Sequence, residues 1–402
     1  MLRRQMGVTV KRTTLPLSSN RQGRERPCRM ILSTTPDAMC RDARLLVIIF
    51  IAGVIPMAGG AGWASDTRTQ APPPVSSERS PSAPNASPSG LATPMSPPLL
   101  GFVWDQASST VRQVDGVPGA ALGGGAFVPN LGFTAAAIAP NQEIALLTNG
   151  TGVLYAVALP PAGPPFTLAS GLAVNVRAAF SPSGTTAVLY SPNASSTFVI
   201  TGMPTFPEVR EVTSLAGVTG IFNAIVSDSG VLLLARGSAS GVSISTAALG
   251  AQLTPVAEVG QLGGMAFLPG TDTAVLSDTQ NSMLWKASGI GGPASLALLA
   301  DASDGLSQPG LVAVSLDGQT AWVLAAGSLS ILEFSLKAAG RFTHALEAPF
   351  PITGLARLNG GSVFALQGPP RGALFVLDGD WPAGRIVQVP MTPPPQPAGG
   401  LQ

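Results

Sequence analysis

An all-β chain assembled from repeated antiparallel sheets is what this sequence predicts, and three observations carry the prediction. The 402 residues include 47 Gly and 38 Pro, with only 11% charged and 5% aromatic residues. That mix, with many Val, Leu, Thr and Ser, favours short strands and turns over helices. The stretch Phe180-Ser181-Pro182-Ser183-Gly184-Thr185-Thr186-Ala187-Val188-Leu189-Tyr190 reads as a strand end, a tight turn and a second strand. Looser copies of it recur along the chain at a spacing close to that of a four-stranded sheet.

The turns fall at Gln142, Gly184, Gly230, Thr271, Gly318 and Gly360, which are 42, 46, 41, 47 and 42 residues apart. Four positions before the turn stand Ile138, Phe180, Val226, Phe267, Val314 and Ala356. Five before it stand Ala137, Ala179, Ile225, Ala266, Ala313 and Leu355, and four after it Leu146, Val188, Leu234, Val275, Trp322 and Phe364. Columns of matching size at fixed offsets are what stacked repeats need, because each copy packs only against its neighbours. A third strand follows in each copy (152–159, 197–201, 241–246, 282–287, 328–336 and 373–377), and a weaker fourth, as at 253–259 or 385–389. Four strands in about 43 residues fits a β-propeller blade. Helical repeats would show a 3.6-residue period, which is absent.

Leu99–Asp105 and Thr110–Asp115 look like a further copy that lacks its first strand. Seven blades are therefore expected over residues 99–390, with six the alternative. No strand-like run follows Pro390 to supply the missing strand.

Upstream, Arg41-Asp42-Ala43-Arg44 precedes the apolar run Leu45–Ile55 and a small-residue stretch ending at Ala64. This is the layout of a secretory signal, and cleavage after Ala64 is expected. The alternative is an uncleaved anchor, since Leu45 to Ala64 is just long enough to span. The long segment before the apolar run would shorten to ordinary proportions if translation began at Met30 or Met39. Residues 65–98 form a spacer whose last 29 residues hold nine prolines and seven serines, and residues 391–402 form a second Pro-rich tail. Neither can bury a core, so both are expected to be extended and disordered. The chain is thus expected to be exported, to the periplasm or the outside.

Ten of the 22 basic residues and three of the 21 acidic ones lie within 1–64. The remainder has 12 basic and 18 acidic residues, a net of −6. Phosphate neutralisation needs clustered Lys and Arg, so nucleic acid is not an expected partner. Both cysteines, Cys28 and Cys40, precede the expected cleavage site, leaving no thiolate chemistry in the body.

Phe180-Ser181-Pro182-Ser183-Gly184 is similar to the turn of bacterial WD40-like and YVTN-type β-propeller repeats. Leu147-Thr148-Asn149 followed by Gly152-Val153-Leu154-Tyr155-Ala156-Val157 resembles the latter group as well. The usual Asp-Gly turn is kept only at Asp317-Gly318, with Asn359-Gly360 close to it. The resemblance covers roughly residues 99–390 and implies a binding scaffold, with no particular partner.

Catalytic sets are sparse. His344 is the only histidine, and no Gly-x-Ser-x-Gly elbow is present. It sits between two strand-like runs and is expected to be an exposed loop residue. A structural Ca²⁺ is conceivable at Asp301/Asp304, Glu208/Glu211 or Asp378/Asp380, although Asp beside Gly is mainly turn chemistry; no cofactor is expected otherwise. Gly289-Ile290-Gly291-Gly292-Pro293-Ala294 matches a dinucleotide loop only superficially, because Pro293 and the surrounding repeat argue for a blade turn. Seven positions before the turn, Arg177 and Asn223 are the strongly polar members of their column, and they are the candidates for ligand contact at the axis. The expected function is a non-catalytic module for a protein or cell-envelope polymer. The alternative is a metal-dependent propeller hydrolase of lactonase or carbohydrate-processing type.

Overall fold

The computed structural model describes residues 96–392, apart from 129–131, 161–162, 174, 249, 327, 338–340 and 369–372. The expected signal, both cysteines, the spacer up to Met95 and the tail beyond Thr392 lie outside the described residues.

Seven antiparallel sheets follow one another along the chain, forming a seven-bladed β-propeller. The first blade holds β1 (Leu99–Asp105), β2 (Thr110–Asp115) and β3 (Leu122–Val128). The second holds β4 (Phe133–Ile138), β5 (Ile144–Asn149), β6 (Leu154–Ala158) and β7 (Phe166–Ala169). The third comprises β8 (Arg177–Phe180), β9 (Ala187–Tyr190), β10 (Phe198–Thr201) and β11 (Glu208–Glu211). The fourth comprises β12 (Ile221–Val226), β13 (Leu232–Ser238), β14 (Gly241–Ala247) and β15 (Thr254–Val259). Next come β16 (Leu262–Phe267), β17 (Ala274–Asp278), β18 (Met283–Ser288) and β19 (Ser295–Ala300). The sixth blade has β20 (Pro309–Val314), β21 (Thr320–Ala325), β22 (Ser330–Ser335) and β23 (Arg341–Glu347). The last has β24 (Gly354–Arg357), β25 (Val363–Gln367), β26 (Ala373–Asp378) and β27 (Arg385–Pro390). Among the described residues the only helical pieces are two single 3-10 turns, at Thr213–Leu215 and Ala302–Asp304.

Position within the blade explains each strand's composition. The second strands lie between neighbouring sheets, and β9 and β17 are buried along their whole length. Buried on both faces, β9 reads as a continuous apolar run and β17 as one until Ser277 and Asp278, instead of alternating. The outermost strands β7 and β11 are mostly exposed and mixed in character. The turn that carries the repeat closes with Ser181 N–H donating to Thr186 O at 2.8 Å and Gly184 N–H to Ser181 O at 2.9 Å. Gly184 has φ +77°, and a Cβ there would lie 2.8 Å from Asn141 Oδ1, so the site favours glycine on two counts.

Seven apolar clusters form the interior, each shared by two adjacent blades. The one joining the seventh blade to the first packs Leu358, Val363 and Val376 against Leu100, Val103 and Val114, and so closes the ring.

Two details depart from the sequence reading. In the last blade Leu358 N–H donates to Val363 O, whereas in the sixth Ser315 N–H donates to Thr320 O. This aligns Gly361, not Gly360, with Gly318; two adjacent glycines and no Asp hid the register. His344 is not in a loop but inside β23, directly opposite Glu333.

With the register corrected, one position is alanine in five of the six complete blades. The residues paired across from Leu146, Val188, Leu233, Val275, Trp322 and Ala365 are Ala137, Ala179, Ile225, Ala266, Ala313 and Ala356. Five of the six complete blades therefore set an alanine of the innermost strand against the same point of the second strand, and the fourth sets Ile225 there.

Candidate functional site

The innermost strands β4, β8, β12, β16, β20 and β24 surround an axial cavity of about 1410 Å³. Small and aliphatic side chains dominate its wall, among them Ala136, Ala137, Ala178, Ile225, Val312 and Ala313. In the first blade β1 lines it with Val103, Trp104 and Asp105.

That difference follows from which strand the first blade lacks. Gly116 N–H donates to Pro98 O at 2.6 Å. The same bond joins the end of the third strand to the start of the second in complete blades: Leu159 to Glu143 at 2.8 Å, Leu336 to Gln319 at 2.7 Å and Gly379 to Ser362 at 2.9 Å. β1, β2 and β3 are thus the second, third and fourth strands, and the absent one is the innermost. In its place the Gln142 side chain crosses the gap. Its Oε1 accepts the Phe102 N–H at 2.6 Å, and its Nε2 donates to Arg357 O, also at 2.6 Å. Gln142 is buried and has φ +61°, in a turn position that glycine takes at 184, 230 and 318.

The cavity's charged groups are already engaged. Arg112 is buried, with Nε 2.8 Å from Asp105 Oδ2, and its Nη1 donates to Thr392 O at 2.6 Å. Asp105 also accepts Ser108 Oγ–H at 2.6 Å and Ala107 N–H at 3.0 Å. Arg357 donates to Gly361 O at 3.0 Å and to Val314 O, with its guanidinium 5.1 Å from the Phe364 ring centre. Burial lowers the Arg357 pKa, against the opposing pull of Asp380 and Asp317. The wall can therefore offer apolar contact and some backbone polarity, while its ionic groups hold the walls together.

Arg177 and Asn223 are not among the side chains lining this cavity. Arg177 opens β8 and is hydrogen-bonded to Tyr190, its cross-strand partner. Tyr190 also takes a hydrogen bond from the backbone of Ala224, next to Asn223. Arg177 and the backbone of the residue after Asn223 thus meet at one buried phenol at a blade seam. Burial raises the Tyr190 pKa, and Arg177 pulls it back.

The carboxylate pairs serve turns and strands. Asp301 caps the 3-10 turn at Ala302–Asp304 by accepting Ser303 N–H at 2.7 Å, and Asp304 accepts the Asp301 N–H in return. Glu208 pairs with Arg210. Asp378 holds Arg385 at 2.9 Å, and Asp380 accepts the N–H groups of Gly361 and Ser362. Among the described residues no three His, Cys, Asp or Glu converge as a metal site would need. His344 Nδ1 lies 2.8 Å from Glu333 Oε2, and its ring stands edge-on to Trp322. Burial raises the Glu333 pKa while His344 lowers it. None of these three residues lines the axial cavity.

Comparison with solved structures shows the fold. A functionally unknown protein from Desulfotomaculum acetoxidans superposes with a TM-score of 0.53 at 15% identity, covering 72% of this chain and 94% of that one. The β-propeller domain of Cps50 (Swd1) from Myceliophteria thermophila matches with a TM-score of 0.49 at 11% identity over 65% of this chain and 88% of that one. A virginiamycin B lyase from Staphylococcus aureus matches with a TM-score of 0.45 at 13% identity over 65% and 85%. No protein-family model matches the sequence, and neither does a curated protein sequence.

Sequence reasoning missed Gln142, the Arg112–Asp105 pair and Ala356 as the last blade's member of the alanine position. A signal for Gln142 was present, since it alone puts a long polar side chain where other turns have Gly or Thr.

Proposed function

We propose that this protein is an exported, non-catalytic binding module whose axial cavity receives an apolar element of a macromolecular partner. The observation that carries this reading is a cavity of about 1410 Å³ whose acidic and basic wall groups, Asp105, Arg112 and Arg357, are tied up in internal pairs. Such a wall favours burial of apolar surface over acid–base or metal chemistry. The signal-like segment before residue 65 and the proline spacer support action outside the cytoplasm.

The test uses purified full-length protein as bait against envelope and culture fractions, with Ala137→Trp as the cavity-filling control. A partner retained by the wild type and lost with the control supports the reading. Turnover of ester or lactone substrates together with a stoichiometric bound divalent ion would overturn it in favour of a hydrolase.

A further inference from the structure

The first blade has a strand-shaped place along β1 whose middle the described residues leave to Gln142, while Asn359 of the last blade caps its start by donating to Leu100 O at 2.9 Å and to Leu99 O at 3.1 Å. Phe102 shows what belongs there. It pairs with Gln113 as Ala365 pairs with Val376, so Phe102 stands where Ala365 stands in the last blade. In the last blade that residue faces Ala356 on the innermost strand. In the first blade its N–H goes to the side chain of Gln142 instead. The one-residue bulge between Leu99 and Gly101 makes this alignment, with Gly101 at φ +148°.

The chain just before β1 fits the place by register. In the last blade six positions separate Arg357, the end of the innermost strand, from Val363, the start of the second. Six positions before Leu99 is Thr93, and the segment Gly90-Leu91-Ala92-Thr93 then falls on Gly354-Leu355-Ala356-Arg357 without a gap. Ala92 lands opposite Phe102, at the position where five of the six complete blades carry alanine and the fourth carries Ile225. Each of these four residues also has the N–H that a ladder needs.

We propose that residues 90–93 dock along β1 as the innermost strand of the first blade and displace the Gln142 amide from the Phe102 N–H. Backbone bonds from two residues of the strand replace one side-chain bond, and Leu91 and Ala92 cover wall that is otherwise open to the cavity. The competing segment of the same chain is the tail. Thr392 N–H donates to Gly123 O at 3.0 Å, and Arg112 holds the Thr392 carbonyl, so the chain enters the seam between the seventh and first blades. Beyond it, however, come Pro393, Pro394, Pro395 and Pro397, none of which can donate to a ladder. This assignment does not depend on the proposed binding function; it decides how much of the axial cavity stays open to a partner.

Hydrogen exchange on the full-length wild-type protein tests it directly. Amides of residues 90–93 should exchange about 100-fold more slowly than those of 70–88. Equal rates in the two segments, or protection at residues 396–400 instead, would overturn the assignment. A second measurement pairs Leu91→Cys with Val103→Cys in a chain carrying Cys28→Ser and Cys40→Ser. These positions correspond to Leu355 and Leu366, which face each other in the last blade. An intrachain disulfide supports docking in cis, and an interchain one would show exchange between copies and overturn it. Gln142→Asn, too short to reach Phe102, should leave Tm within about 2 °C of wild type. A larger fall would mean that Gln142 alone closes the ring.

Discussion

The carboxylate of Asp228 receives the backbone N–H of Ser183 at 2.8 Å across the seam between the third and fourth blades. Its other oxygen takes the Gly270 N–H, also at 2.8 Å, from the turn of the fifth blade. One side chain thus ties three successive turns. Burial pushes its pKa up, but the hydrogen bonds from Gly270, Ser183 and Ser181 outweigh burial and hold it below the ordinary carboxylate value. A depressed folded pKa stabilises above the unfolded value and ceases to do so as pH falls through the folded one. Asp228→Asn should therefore cost about 2 kcal/mol at neutral pH, with the difference shrinking below about pH 4. Urea melts of both proteins at pH 7 and pH 3 check this; an equal difference at both would contradict it.

Asp278 is buried at the end of β17 and organises the loop around it. It accepts Gly260 N–H at 3.0 Å, Gln261 N–H at 3.2 Å and Asn281 Nδ2–H at 2.7 Å. Asp278→Ala leaves three backbone donors, of Gly260, Gln261 and Asn281, and the Asn281 amide without their acceptor. The expected loss is about 3 kcal/mol in chemical denaturation, larger than for Asp228→Asn because the site is drier. A loss below about 1 kcal/mol would mean that water takes over the donors.

Arg112 joins the first blade to the segment that follows β27 through Asp105 and the Thr392 carbonyl. Arg112→Ala removes one member of a largely buried ion pair and should cost about 3 kcal/mol. It should also speed exchange of the Thr392 N–H while leaving amides of the fourth blade unchanged. Uniform loss of protection across all blades would refute a local role.

Gly379 lies against the buried Trp322 ring: a Cβ there would be 2.5 Å from Cζ2 and 2.8 Å from Ser362 O. Gly379→Ala should lower stability by about 1–3 kcal/mol through overpacking. Trp322→Phe in the same background should restore part of it. Tryptophan fluorescence during thermal melting gives both values, and a neutral Gly379→Ala would show that the seam yields.

Much of the architecture was legible because a blade must repeat. The columns ending in Val188, Val275 and Trp322 are the buried centres of second strands, where size is constrained on both faces. The expected fourth strands at 253–259 and 385–389 match β15 and β27 to within a residue. The absent first strand of the opening copy was legible too, since Leu99–Asp105 follows directly on the proline-rich spacer. Less legible was anything set by which residues meet across seams. His344 looked like a loop residue because Arg341 and Thr343 flank it, yet it is held in β23 by Glu333. Gln142 looked like an ordinary turn residue, and only the three-stranded sheet shows what it reaches. Arg177 stood out by polarity, but the residue it meets, Tyr190, comes from the next strand and could not be read from a single column.

Seven separate clusters, each wedged between two sheets, replace the one shared interior of most domains of this size. Damage in such a body is sectoral: a poorly fitting side chain disturbs its own wedge and the two sheets beside it, while the far side of the circle keeps its fit. A lineage can therefore rewrite one wedge at a time without renegotiating the others.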